Sequence, residues 1–561
     1  MPEIKIQPID ISIQADPEES LRDALQRNGI ELESPCNGKG VCGSCRVWVL
    51  EPWVEETPHE NISKEESAAG CRLSCRISTN LDMTIRLPMD FVQDGKRLRE
   101  SQNILEGDLT PTARLVSAVK LINREDCLLL RYDNLPEYSV LHGWQKSFQP
   151  KGLAIDLGTT TLVVTLVSLK SGRELATASR LNPQIKFGHD VMTRIQHGSS
   201  REGLQELASS IQEGLNELIE EVCEDSDSQP EEILDVVLGG NTTMLQLLAG
   251  IDPAPLGQIP FQVDLQTGNS YPVASMGLHT NPAARVYVPP VLHAFIGSDI
   301  SAGLLVHGDF FQNDKNVLFV DVGTNGEIAL NAKGRRLACS TAAGPAFEGM
   351  GISSGMRASI GAVESVNFDQ QQGLKISTVG DAPAKGICGS GLVDLLAVML
   401  RLGVLDSTGR FKSPPPQDLP DSVRSRLQVQ AGEPCFMLGD NAAFTQRDVR
   451  QVQLAKGAVR AGIDILLQEA GCSIQNLDSI NIAGGFGFFL DAANLESIGL
   501  LPPGSQDRVV FAGNSCRSGC VWLLTDISYR RFLEENTKHI EHISIAQSPK
   551  FMELYAESME F

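Results

Sequence analysis

Three cysteines stand close together in the run Cys36-Asn-Gly-Lys-Gly-Val-Cys42-Gly-Ser-Cys45, at the spacing C-x5-C-x2-C. About thirty residues on come two more, in Gly70-Cys71-Arg72-Leu73-Ser74-Cys75. An iron–sulfur cluster takes four thiolates from a loop that can wrap it. Gly38, Gly40 and Gly43 leave space for backbone N–H groups to approach the sulfides. The spacing is one residue longer than the C-x4-C-x2-C of plant-type clusters. Structural zinc sites pair their cysteines in close knuckles, and Cys36 has no such neighbour, so zinc is the weaker reading. The same glycines spell G-x-G-x-x-G, but Cys42 sits inside the match and no strand-turn-helix frame surrounds it, which discards a dinucleotide loop. On residues alone, Cys71 and Cys75 both remain open as fourth ligand.

This loop resembles that of the adrenodoxin-like 2Fe–2S ferredoxins, whose last ligand closes a Gly-x-Arg-Leu-x-Cys run. The resemblance implies a 2Fe–2S cluster held by Cys36, Cys42, Cys45 and Cys75, with Cys71 the spare.

A second set of residues suits phosphate chemistry. Leu153-Ala-Ile-Asp156-Leu-Gly158-Thr159-Thr160-Thr161 reads as a buried strand running into a hydroxyl-lined glycine turn, and a strand-like run follows it. Val317-Leu-Phe-Val-Asp321-Val-Gly323-Thr324-Asn325-Gly326 repeats the pattern 165 residues later. Two apolar runs also end alike, Val236-Val-Leu-Gly239-Gly240 and Ile480-Asn-Ile-Ala-Gly484-Gly485. One such aspartate turn is an ordinary strand end; two in matching contexts imply a duplicated α/β unit. Asp156 and Asp321 could orient Mg²⁺-bound waters, and Gly158, Thr159, Thr160, Gly323, Thr324 and Asn325 could offer donors to phosphate oxygens. No G-x-x-x-x-G-K-[ST] loop occurs.

The paired motifs resemble the actin, Hsp70 and sugar-kinase ATPase superfamily. That likeness implies two lobes facing an ATP cleft, with Gly484 and Gly485 against the adenosine. A ferredoxin fused to such an ATPase resembles the reductive activators of corrinoid proteins. Asn182-Pro-Gln, Gly240-Asn-Thr-Thr-Met244, Cys339-Ser-Thr-Ala-Ala-Gly-Pro-Ala-Phe-Glu348, Gly386-Ile-Cys-Gly-Ser-Gly391 and Gln453-Leu-Ala-Lys-Gly457 carry that likeness along nearly the whole chain. It implies ATP-dependent one-electron reduction of Co(II) to Co(I) on a separate corrinoid protein of a methyltransferase system. It also implies an external electron donor, a reductase or a ferredoxin, and leaves a homodimer open. No D-x-H-x-x-G signature occurs, so the corrinoid belongs to the partner.

The elements that must position these residues are legible in outline. Residues 3–14 alternate as half-buried strands do. Glu18 to Asn28 reads as a helix stopped by Gly29, and strand-like runs cover Arg46–Leu50 and Leu81–Leu87. Together they look like a β-grasp ferredoxin domain over residues 1–88. Residues 89–112 are polar, punctuated by Asp94-Gly95 and Pro111, and read as a linker. Residues 113–150 hold two strand-like runs, Arg114–Leu121 and Cys127–Tyr132, in a small middle segment. The two-lobed, actin-like ATPase domain is expected over 151–561, with lobes at about 151–316 and 317–530. Helical spacing marks Leu204–Val222 and Val449–Ala470, and about 80 additional residues swell the second half around 364–445. The fold class is therefore α/β and multidomain.

With 70 acidic against 47 basic residues the net charge is −23, which argues against nucleic acid and anionic membranes as partners. Thirteen cysteines in 561 residues do not make a disulfide scaffold; cluster chemistry in a reducing cytoplasm suits them better. The N-terminus lacks the pattern of a signal peptide, and no apolar run is long enough to span a membrane. Cys388, Cys516 and Cys520 read as packing residues near the cleft. Two other functions use the same motifs: a kinase, which leaves the cysteine loop without a task, and a nucleotide-switched redox sensor. Cys71→Ser is expected to keep a full cluster by visible absorption, and Cys75→Ser to lose it; the opposite pattern would reverse the ligand assignment.

Overall fold

The structure, a computed structural model, describes residues 2–7, 11–17, 19–28, 45–51, 62, 67, 70–86, 113–120, 126–133, 138–141, 148–484, 490–545 and 548–561. The chain forms two compact units, Met1–Asp108 and Leu109–Phe561.

In the first unit, strands β1 (Glu3–Gln7), β2 (Ile11–Gln14), β3 (Arg46–Glu51), β4 (Cys71–Leu73) and β5 (Met83–Arg86) form one sheet in the order β2-β1-β5-β3-β4. β1 and β5 run parallel and the other pairs antiparallel, a β-grasp arrangement. Helix α1 (Leu21–Arg27) starts later than the sequence suggests, because Ser20 caps it by accepting from the Asp23 N–H. Leu21, Ala24 and Leu25 pack on Ile4, Ile6, Val47 and Ile85. The linker expected at 89–112 lies outside the described residues.

The second unit opens with three antiparallel strands, β6 (Ala113–Lys120), β7 (Asp126–Tyr132) and β8 (Tyr138–Leu141). The third was missed in the sequence, where the run is short and polar residues flank it. Leu130 and Tyr132 are buried, and the Tyr132 hydroxyl donates to the carbonyls of Leu234 and Ala283.

Two six-stranded sheets follow. The first takes β9 (Lys151–Leu157), β10 (Thr161–Ser168), β11 (Glu174–Leu181), β12 (Ile233–Gly240), β13 (Asn269–Pro272) and β14 (Arg285–Val288) in the order β11-β10-β9-β12-β14-β13. The second takes β15 (Asn316–Val322), β16 (Gly326–Ala332), β17 (Arg335–Thr341), β18 (Ser479–Ala483), β19 (Val509–Gly513) and β20 (Ile540–His542) in the order β19-β18-β15-β16-β17-β20. In both, an antiparallel meander lies beside parallel strands, so the expected duplication is present. The Asp-bearing strands are central and buried, as parallel neighbours covered on both faces require. Asp156 pairs with Gly239, and Asp321 with Ala483. Gly240 and Gly484 therefore occupy equivalent places, one residue out of step with the alignment of the two Gly-Gly pairs.

Helix α2 (Arg201–Asp225) is capped by Ser200 and buries Leu207, Ile211, Leu215, Leu218 and Val222 at helical spacing. Helix α3 (Ser298–Val306) follows the first sheet. Helix α4 (Gln446–Ala470) starts at a Thr445–Asp448 capping box and stops at Gly471 in the left-handed region. Residues 362–445 add short strands and the helix Gly389–Arg401, where the extra residues were expected. Helix α5 (Ser515–Thr525) leaves the second sheet and packs on α3, β9 and β12 of the first. Ile300 and Leu304 of α3 share a core with Phe319 and Ala329 of the second sheet. Two helices thus cross between the lobes, and they touch through glycines: a Cβ at Gly519 would overlap the Ala302 carbonyl, and one at Gly303 would meet Ser515 Oγ. Alanine normally stabilises a helix interior by about 1 kcal/mol over glycine, but overpacking costs about 1–3 kcal/mol or more. Gly519→Ala is therefore expected to lower the urea midpoint of the second unit; an unchanged or raised midpoint would show slack at the crossing.

Candidate functional site

Asp156 ends β9 and Asp321 ends β15, and the turns that follow face each other across a cavity of about 430 Å³. That size suits a small-molecule site. The first turn is closed by Gly158 N–H donating to Thr161 O at 3.0 Å. Asn182 supports it, its backbone N–H on Thr160 O and its side-chain amide on Gly158 O. The second turn is closed by Gly323 N–H on Asn325 O at 2.9 Å. Gly484 adopts φ +115°, and a Cβ there would strike the Val322 carbonyl, so only glycine lets that strand end approach the turn.

Asp156, Gly158, Thr159, Thr160, Asp321, Gly323, Thr324, Asn325 and Gly484 all line this cavity. Gly485 lies outside the described residues. The two turns touch directly: Thr160 Oγ1 and Thr324 Oγ1 are 2.9 Å apart, and both donate to Glu348 Oε2, at 3.0 and 3.1 Å. Asn514, just before α5, donates its amide to Asp156 Oδ2 at 2.7 Å.

Five carboxylates line the cavity, those of Asp156, Asp299, Asp321, Glu327 and Glu348. Burial pushes all five above the usual carboxylate range. Asp321 is pushed up to about 8, by burial and then by the charges of Asp299, Asp156 and Glu348. Asp299 rises through burial and the charge of Asp156. Among the described residues no three His, Cys, Asp or Glu side chains form a direct metal cage. The donor set suits a hard cation held through its waters, as Mg²⁺ is held beside phosphates.

Asp299, Glu327 and Glu348 were not singled out from the sequence. Glu327 directly follows the second glycine turn and Glu348 closes the Cys339–Glu348 stretch, neither with a spacing signal of its own. Asp299 had one weak signal, an acid opening the apolar run Ile300–Val306 that becomes α3.

In the first unit, Cys45 Sγ and Cys75 Sγ lie 3.3 Å apart, and Ser74 N–H donates to Cys45 O at 2.8 Å. Both are free thiols, so two of the four expected ligands converge without a disulfide, as a shared metal centre requires. Cys36 and Cys42 lie outside the described residues. Cys71 is buried in β4 opposite Trp48. Cys388 lines the cleft with its thiol on Val363 O at 3.3 Å, and Cys516 and Cys520 pack beneath Gly239.

Comparison with known proteins matches three stretches of the chain. Residues 4–79 match the model of the 2Fe-2S iron-sulfur cluster binding domain, residues 151–309 that of the RACo middle region, and residues 315–561 that of the C-terminal domain of RACo, the ASKHA domain. The corrinoid activation enzyme RamQ of Eubacterium limosum is 30% identical over 99% of this chain and 98% of its own. The chain belongs to the family of corrinoid activation enzymes. A second relative, the [Co(II) methylated amine-specific corrinoid protein] reductase of Methanosarcina barkeri, is 29% identical over 48% of this chain and 50% of its own. The solved structure of a reductive activator for corrinoid, iron-sulfur protein covers 100% of this chain and 98% of its own, with a TM-score of 0.74 and 28% identity. The fold of these activators is thus the fold of this chain: a 2Fe–2S ferredoxin domain followed by an actin-like ATPase fold. No helix among the described residues is long and apolar enough to cross a membrane.

The crowded carboxylates have a consequence for stability. A carboxyl with a raised folded-state pKa destabilises the fold once it must ionise. What Asp321 contributes is complete below its ordinary value of 3.8, drains away with rising pH and is gone above about pH 8. Asp321→Asn is therefore expected to raise the melting temperature of the nucleotide-free, Mg²⁺-free protein at pH 9, by the equivalent of about 1–3 kcal/mol, with little gain at pH 5. Equal effects at both pH values would show that its charge is not the cause.

Proposed function

We propose that this chain returns an oxidised corrinoid protein to service, reducing cobalt from Co(II) to Co(I) at the expense of ATP. One observation carries the reading: a 2Fe–2S domain and a carboxylate-lined cleft between two glycine turns lie in one chain that matches a corrinoid activation enzyme from end to end. Residues 1–88 form the electron-carrying domain, 89–112 the tether, 113–150 the middle segment and 151–561 the ATPase.

Cys36, Cys42, Cys45 and Cys75 hold the cluster, and the 3.3 Å approach of Cys45 and Cys75 supports the fit. When bound, the cluster supplies the single electron that the partner's cobalt accepts. Plant-type clusters sit near about −400 mV. A partner couple lower by roughly 120 mV would cost about 2.8 kcal/mol for one electron. Binding energy that differs between nucleotide states can offset a cost of that size.

In the cleft, Asp156 and Asp321 would orient the waters of Mg²⁺, which would supply positive charge to the phosphates when bound. Thr159, Thr160, Thr324 and Asn325 donate to phosphate oxygens, and Gly158, Gly323, Gly484 and Gly485 leave space for the nucleotide. Asp299, which lines the cleft and has a raised affinity for a proton, would take the proton of the attacking water. An external reductase or ferredoxin reloads the electron.

The test mixes reduced protein, Mg-ATP and an oxidised corrinoid protein and follows cobalt by absorption. Co(I) is expected with ATP, and mostly Co(II) without it. Asp321→Ala is expected to lose hydrolysis at least about 100-fold and to leave Co(II), with the cluster spectrum unchanged. Equal Co(I) without ATP would separate the cleft from the redox step and sink the reading.

A further inference from the structure

The cavity that holds five carboxylates contains one cation. Among the described residues lining it, Arg357 is the single Lys or Arg, and the chain has no P-loop lysine. A nucleoside triphosphate would bring several more negative charges. The terminal phosphate gains no relief from the cleft's carboxylates, and phosphoryl transfer is accelerated chiefly by positive charge placed where negative charge builds.

Arg357 is placed for that task. It belongs to the second lobe, yet its Nη2 donates to Thr161 Oγ1 at 2.9 Å and to Thr160 O at 3.4 Å, both on the first lobe's phosphate turn. No carboxylate among the described residues lies within salt-bridge distance of it, and Glu348 attracts it from farther off. Two hydroxyl and carbonyl contacts leave most of its five N–H donors unspent. Its backbone is anchored. Met356 N–H donates to Ile387 O at 2.9 Å, and Ser353 donates through N–H and Oγ to Asp448 Oδ1 at 2.7 and 2.9 Å. Asp448 is buried and also caps α4. A fixed base and a guanidinium with donors to spare is the arrangement a phosphate-contacting arginine needs.

We propose that Arg357 is a catalytic residue of the ATPase, contacting the terminal phosphate of bound ATP from the lobe opposite the Thr159–Thr161 turn. The proposal rests on the ATP reading of the cleft. In the step it serves, a water oxygen bonds to the terminal phosphorus while the bond from that phosphorus to the bridging oxygen breaks. The bridging oxygen leaves on ADP with the electron pair, and the water proton passes to a cleft carboxylate. Arg357 neutralises charge on the phosphoryl oxygens as this happens. ADP lacks the group it contacts, so Arg357 also distinguishes the two nucleotides.

The experiment uses the full chain with its cluster, as wild type, Arg357→Ala, Arg357→Lys and Asp321→Ala. It measures affinities for ADP and for a non-hydrolysable ATP analogue, kcat for hydrolysis, and rescue by guanidinium ion. For Arg357→Ala, the expected result is ADP affinity within about threefold of wild type, weaker analogue binding and kcat lower by about 100-fold or more. Arg357→Lys should fall between. Guanidinium should restore part of the hydrolysis to Arg357→Ala and none to Asp321→Ala. Hydrolysis within about threefold of wild type in Arg357→Ala would overturn the proposal. So would equal loss of ADP and analogue binding, the mark of a mere tie between lobes. If Arg357→Ala loses its cluster or its cooperative melt, Arg357→Lys decides by the same criteria. Normal hydrolysis by Asp321→Ala would instead remove the cleft reading, and this proposal with it.

Discussion

Five carboxylates face one cavity, and burial raises the cost of ionising each of them. Much of the second unit can be understood as the framework that holds them there. Strand ends of two buried sheets deliver Asp156 and Asp321, the start of α3 delivers Asp299, and the loop after β17 delivers Glu348. Left alone, such a set protonates or pushes its walls apart. A cation and a phosphorylated ligand convert the same crowding into binding energy, because displaced protons and relieved repulsion then favour the loaded state. The core pays for a site that is poorly satisfied when empty.

The duplication distributes this burden unequally. Asp156 receives the Asn514 amide, whereas Asp321 has the charges of three other acids around it. Thr160 and Thr324 stand at equivalent turns and share one acceptor, Glu348, from the second lobe. Two copies of one supersecondary unit have become a pair of non-equivalent jaws, and the asymmetry comes from the elements that differ between the halves.

Both Asp-Gly-Thr turns were legible because a buried strand running into a glycine turn leaves an apolar run, a carboxylate and a small residue in fixed order. The ladder register could not be read that way. Gly240 aligns with Gly484 because Asp321 pairs with Ala483, and pairing is a property of two distant strands. Gly471 marked its helix end by capping chemistry, whereas Ser200 and Thr445 cap starts that lie three residues ahead of the apolar spacing at Leu204 and Val449. Asp299, Glu348 and Arg357 left little signal, since each comes from a different element and acquires meaning only in the company of the others. The strand Tyr138–Leu141 escaped notice because its four residues are too few for a period to declare itself.

The crossing of α3 and α5 sets how the lobes can move. At Gly519 the Ala302 backbone, and at Gly303 Ser515 Oγ and the edge of the Phe319 ring, fill the space a Cβ would need. Such close contact leaves little room for one helix to slide along the other, so the crossing acts as a rivet between the lobes. Points near the rivet travel little. Asn514 lies one residue before α5 and ties the helix start to Asp156, while Thr160, Thr324 and Glu348 join the lobes across the two turns. The aspartate at the root of the cleft is thus dressed from the same helix that rivets the lobes.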